Sequence, residues 1–150
     1  MSTPLVIGYG NTLRGDDGAG VVAAELIRGR NMGVDVITVH ELQPELAEAI
    51  ASRSDVVFVD ASITTPRLTI RALQPGNTTA QGSHLLSPEQ LLTLAKSLYG
   101  GCPAAAFLME IPAVQFEFGE FLSEEVARSV AKCPEALEAI LRKGRAGTST

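Results

Sequence analysis

Apolar positions along the chain fall into short continuous runs that alternate with helical periods. Leu5-Val6-Ile7 is an apolar run that meets Gly8-Tyr9-Gly10, the pattern of a buried strand entering a turn. From Gly18 to about Arg30, Val21, Val22, Leu26 and Ile27 keep a helical period, and Gly29 and Gly33 mark its end. Val34 to Val39 is β-branched and predicts a second strand. Pro44 suits the first turn of a helix carrying Leu46, Ala47, Ala49 and Ile50. Val56-Val57-Phe58-Val59 is the strongest strand signal, and Asp60 stops it.

Further along, Arg67 to Leu73 alternates and predicts a strand with one exposed face. Pro75-Gly76-Asn77 turns the chain into a polar loop that runs to Ser87. Ser87-Pro88-Glu89-Gln90 then opens a helix, with Ser at the N-cap and Pro at the first helical position. Leu91, Leu92, Leu94, Ala95 and Leu98 line it. Ala104 to Ile111 is another apolar strand, and Ser123 caps a last helix reaching about Leu141, with Val126, Val130, Leu137 and Ile140 inward. Residues 1–142 are expected to form one domain, with 143–150 a fraying tail. The order β-α-β-α-β-β-α-β-α with continuous apolar strands predicts an α/β fold. It is a single-domain three-layer α/β/α sandwich, with a mostly parallel, twisted five-stranded sheet between helices on both faces.

Composition narrows the function classes. A chain of 150 residues is long enough to bury a self-standing core. Seventeen acids against 12 Lys plus Arg give a net charge of −5, which argues against the basic stripe of a nucleic-acid binder. Cys102 and Cys133 lie far apart in no metal-ligand spacing, and both read as small apolar fillers. With no charged-apolar-small leader at the start of the sequence, the expected compartment is the reducing cytoplasm. No apolar run reaches the ~18 residues of a membrane-spanning helix.

The segment Gly8 to Gly20 carries the chemistry: Gly-Tyr-Gly-Asn-Thr-Leu-Arg-Gly-Asp-Asp-Gly-Ala-Gly. It falls between the first strand and the first helix, where open α/β sheets place their ligands. A dinucleotide fingerprint would need glycine or alanine at position 13, which is Leu13. The helix start also carries Asp16 and Asp17, which occupy the field that would hold a pyrophosphate. Like charges ~4 Å apart cost on the order of 4 kcal/mol at an effective dielectric near 20, more than one helix dipole returns. A Walker phosphate loop is excluded as well, because no Gly-Lys-Ser/Thr follows. Capping accounts for one acid, and Asp16 takes that role, accepting amides of the first turn. Asp17 is then left to face the crevice, and glycines at 15, 18 and 20 allow another backbone to approach.

A cation suits this site better than an anion. Asp60 ends its strand at the same edge, and first and third strands are commonly neighbours in doubly wound sheets. His84, in the polar loop, adds an imidazole. Two carboxylates and one imidazole make a set for Ni²⁺ or Zn²⁺ with open positions. His40, at the end of the second strand, reads as a wall of the site and not a ligand. Glu41 reads as exposed charge, Glu45 as a helix-start acid, and Glu110, Glu117 and Glu120 as solvated or capping acids.

The block Gly8 to Gly20 resembles the N-terminal signature of the nickel-iron hydrogenase maturation proteases. The resemblance continues through His40 to Ala47, Val57 to Ala61, Ser83 to Pro88 and Phe116 to Glu120, in order along nearly the whole chain. It implies an enzyme that removes the C-terminal extension of a hydrogenase large subunit after nickel is inserted, with the large-subunit precursor as partner. It implies that Asp17, Asp60 and His84 are both the metal ligands and the catalytic residues. The nickel would be carried by the substrate, with zinc or another divalent ion as a possible surrogate. In some members the histidine directly follows a Ser-Pro pair, whereas Glu89 follows Ser87-Pro88 here, so His84 matches in a shifted register. Neither the Gly-x-Ser-x-Gly elbow nor the zincin His-Glu-x-x-His occurs. The alternative reading is a non-catalytic nickel-checking module built on the same three residues. Against any nucleotide-binding role stand the paired aspartates.

Overall fold

The computed structural model describes residues 2–76 and 86–148. Its elements follow the predicted order. Strand β1 (Leu5–Tyr9) leads through a 3-10 turn (Gly15–Gly18) into helix α1 (Ala19–Gly29), then come β2 (Asp35–Val39) and α2 (Leu46–Ala51). After them run β3 (Asp55–Ser62), β4 (Thr69–Ala72), α3 (Pro88–Tyr99), β5 (Ala105–Pro112) and α4 (Glu124–Thr148). The sheet has five strands in the order β2-β1-β3-β5-β4, all parallel except β4, which pairs antiparallel with β5.

The strands are apolar on both sides because helices cover both faces. On one face Leu5, Ile7, Val56, Phe58 and Leu108 pack with Ile50 of α2 and Leu91 and Leu92 of α3. On the other, Val6, Val57, Val59, Met109 and Ile111 pack with Ala23 and Ile27 of α1 and Val130 and Leu137 of α4. Helix α3 starts as its sequence demands: Gln90 N donates to Ser87 Oγ at 3.1 Å and Ser87 N donates to Gln90 Oε1 at 2.8 Å, a complete capping box. Gly100 closes the helix in the left-handed region at φ 69°.

Two boundaries differ most from expectation. β3 does not stop at Asp60 but runs to Ser62, because β5 keeps pairing with it as far as Ser62 opposite Pro112. Against β1, however, the β3 ladder ends at Val59. Asp60 therefore sits just beyond the last β1 pair, with its edge toward β1 open. The final helix runs past Leu141 to Thr148, continuing through Pro134 and into the segment expected to fray.

The connection from β1 goes to β2 on one side, and the chain from β3 reaches β5 on the other. The sheet's topological switch point thus lies between β1 and β3, and the crevice outside their C-terminal ends is where such folds bind ligands. Close packing builds this junction. A side chain at Gly20 would overlap the carbonyl oxygens of Val59 and Tyr9, so only glycine lets the first turn of α1 rest on β1 and β3.

Candidate active site

Asp17 and Asp60 both lie near the switch point, within electrostatic reach of each other. Asp17 leaves the 3-10 turn after β1, half-buried, and its Oδ2 accepts the Asn11 amide at 2.8 Å. This bond is possible because Gly10, at φ +144°, folds the loop back so tightly that a side chain there would overlap the Asp17 carbonyl. Asp60 lies on the same sheet face as Phe58, with its Oδ1 accepting the Ala61 amide at 2.8 Å.

Burial is the main force on Asp60, and it pushes the carboxyl up to about 7. A hydrogen bond from Tyr9 and the Ala61 amide oppose that rise, while the negative charges of Asp17 and Glu110 add to it. The two aspartates are therefore within electrostatic reach of each other. A hollow of about 340 Å³ opens beside Asp17, lined by Asn11, Arg14, Asp17, His40, Glu41 and Phe116. Asp60 is not one of its lining residues. His40 is a wall of the hollow, as expected. Glu41, read as exposed charge, also faces into it, and it accepts a bond from Gln43 Nε2 at 3.0 Å. His84 lies outside the described residues. Among the described residues no group of three or more His, Cys, Asp or Glu side chains could hold a metal ion.

Asp16 does not cap its own helix. Its carboxylate is 0% exposed and reaches the segment between β5 and α4. There it accepts the amides of Val114, Gln115 and Ser123 at 2.8–2.9 Å and the Ser123 hydroxyl at 2.9 Å. Burial alone would raise this carboxyl, but those four donors outweigh it and hold it below the usual carboxylate range. Gly15 also departs from expectation: its neighbour is the Gln115 side chain, whereas Gly18 and Gly20 do meet backbone.

Two participants escaped the sequence. Tyr9 interacts with Asp60: burial first, and then the Asp60 charge, raise its phenol far above the ordinary value. The signal was the period of two in β1, which puts Tyr9 on the face of Leu5 and Ile7. Glu110 stands opposite Asp60 in the β3–β5 ladder and pairs with Arg71, whose Nε lies 3.3 Å from its Oε1. One acid interrupting an otherwise apolar strand near the ligand edge was the available hint.

The fold and this junction define the chain's class: a mostly parallel α/β domain whose switch point is acidic and rich in glycine. Its counterparts among solved structures are hydrogenase maturation endopeptidases, and the chain has their fold. The hydrogenase maturating endopeptidase HybD from E. coli is 22% identical, with a TM-score of 0.75 over 95% of this chain and 94% of that one. The hydrogenase 2 maturation peptidase from Thaumarchaeota archaeon SCGC_AB-539-E09 is 25% identical, with a TM-score of 0.69 over 93% of this chain and 98% of that one. The hydrogenase maturation protease HycI from Thermococcus kodakarensis KOD1 is 23% identical, with a TM-score of 0.71 over 93% and 92%. No family model and no curated protein matches the sequence.

Proposed function

We propose that the protein is an endopeptidase that removes the C-terminal extension of a nickel-iron hydrogenase large-subunit precursor, recognising the nickel that the precursor carries. The Asp17 charge acting on the buried Asp60 carboxyl at the β1–β3 switch point is the observation that carries this reading. The five sequence blocks and the fold shared with solved hydrogenase maturation endopeptidases support it.

The donor chemistry fits a divalent ion. The Asp17 charge adds to the cost of ionising Asp60, and a positive charge between the two would relieve it. Asp17 Oδ1 makes no hydrogen bond among the described residues, so that oxygen is available to such an ion. His84 is the third group of this reading, supplying an imidazole nitrogen. Nickel brought by the substrate would polarise the scissile carbonyl and lower the pKa of a water.

The chain's own groups do the rest. Asp17 is aimed by the Asn11 amide, and Asp60 by the Ala61 amide and the Tyr9 phenol. A carboxylate so held takes the proton of the attacking water and returns it to the leaving amine. His40 and Phe116 form walls that fix the peptide beside it. No helix among the described residues is long and apolar enough to cross a membrane. With Cys102 and Cys133 both free, the reading assigns the protein to the cytoplasm.

The test is to mix the protein with a large-subunit precursor in nickel-loaded and nickel-free forms and to weigh the products. Shortening of the loaded form alone is the expected result. A loaded precursor that stays intact means a nickel-checking module and not a protease.

A further inference from the structure

The geometry points to Asp16 as a positioning residue that turns the segment between β5 and α4 into a fixed wall of the substrate crevice. This inference rests on the proposed protease reading, since it names what the precursor's polypeptide touches beside the acids.

Residues 113–123 contain no regular helix or strand, yet they are held at many points to the glycine loop. Gly15 N donates to Gly119 O at 3.0 Å, Gly119 N to Leu13 O at 2.7 Å, and Asp16 N to Gln115 O at 3.0 Å. Arg14 and Gly119 form a parallel bridge. The Asp16 carboxylate accepts Val114 N and Gln115 N on Oδ2, Ser123 N on Oδ1, and the Ser123 hydroxyl on Oδ2. One buried side chain thus holds both ends of the segment.

What is held there has no structural need to be exposed and apolar. Val114 is 57% exposed, Phe118 78% and Phe121 51%, and Phe116 between them lines the hollow that contains Asp17. Ile63, 75% exposed, follows β3 at the same edge, and Leu13, 45% exposed, belongs to the glycine loop. Large apolar side chains grouped around a crevice mark a contact surface for another polypeptide. Fixing them before the partner arrives lowers the ordering cost of binding. The occupant is the precursor chain flanking the scissile bond, because Phe116 makes the surface continuous with the hollow beside Asp17.

Asp16 acts through this segment; Asp17, next to it in the 3-10 turn, is held separately by the Asn11 amide.

The experiment compares the full chain with Asp16→Asn and Ser123→Ala variants in three measurements: amide hydrogen exchange, affinity for nickel-loaded precursor, and processing rate at saturation. Asp16→Asn is expected to speed exchange at Val114, Gln115 and Ser123 by about tenfold or more, with Ile7 and Phe58 unchanged. It should weaken precursor binding by about tenfold and lower the saturated rate by no more than about threefold. Ser123→Ala removes one donor and should give a smaller shift of the same kind, which keeps the test alive if Asp16→Asn fails to fold. Unchanged segment exchange overturns the inference, as does a saturated rate that collapses at unchanged affinity. A wild-type chain that binds precursor without shortening it overturns the protease reading instead, and the wall is then judged by affinity alone.

Discussion

The Tyr9 phenol and the Asp60 carboxylate lie within interaction reach of each other across the central strands β1 and β3. The phenol sits on the sheet face that packs against α2 and α3, so it reaches the acid from the core side. It stabilises the ionised carboxylate and partly offsets the burial that raises it. Replacing Tyr9 with Phe is expected to leave the fold intact and push the Asp60 carboxyl above about 7. Carbon-detected NMR titration of the Asp60 carboxyl checks this, and an unmoved or lowered value would refute the interaction.

Stability should carry the signature of Asp60 as well. Its ordinary value is 3.8, and in the folded chain it titrates at about 7. Between those values the folded chain holds a proton that the unfolded chain has released. The contribution to stability is complete below the unfolded value and is lost as pH rises through the folded one. Asp60→Asn cannot ionise. It should exceed wild type in stability at about pH 8, and the gap should close toward about pH 4. Urea unfolding at the two pH values measures it.

The fold was legible because its strands are apolar runs and α3 is capped by residues with one physical job. Ser87, Pro88 and Gln90 announced α3, and Val56 to Val59 announced the central strand. Asp17 was legible because two acids beside five glycines exceed what a helix start needs. The partner of Asp16 was not legible. Capping is a local pattern, whereas Asp16 bonds to Ser123, 107 residues away, and nothing in the local sequence encodes that meeting. Glu110 was hidden for a similar reason: its relation to Asp60 is a register between strands that are distant in sequence.

That long-range role changes the expected cost of losing Asp16. A lost N-cap costs about 1 kcal/mol, but Asp16→Ala strands three part-buried amides and a hydroxyl without their acceptor. The expected loss is about 3 kcal/mol, since each unsatisfied buried donor costs roughly 1–3 kcal/mol and relaxation recovers part. The carboxyl is held below its ordinary range, so its share of stability is present at neutral pH and fades as the solution is acidified through that range. The variant should therefore lose less stability than wild type on acidification. Thermal and urea melts of both proteins test the magnitude and the slope.

Gly20 offers a test of the junction itself. A β-carbon there would meet the carbonyl oxygens of Val59 and Tyr9, both backbone atoms of central strands that cannot swing aside. Gly20→Ala gains helix propensity of up to ~1 kcal/mol, and overpacking costs typically 1–3 kcal/mol. The net is expected to be destabilising, with the β1–β3 crevice displaced and processing reduced. A stabilised variant with full processing would mean that α1 does not rest so closely on the two strands.

Separating chemistry from architecture requires Asp17→Asn and Asp60→Asn together. Neither carboxylate supports the core: Asp17 accepts one amide of its own loop, and Asp60 accepts the amide of the next residue and the Tyr9 phenol. Asparagine keeps the size and an accepting oxygen at both sites, so each variant should fold and melt within about 1 kcal/mol of wild type near neutral pH, apart from the charge relief at Asp60. Processing of a nickel-loaded precursor, in contrast, should fall by at least about a hundredfold in each, because proton transfer by a positioned group contributes about that much. The double variant should lose little more than either single one, as expected for groups that act on one bond as a unit. Two variants that fold normally and still shorten the precursor at the wild-type rate would remove both acids from the reaction and leave the switch-point crevice as a binding site only.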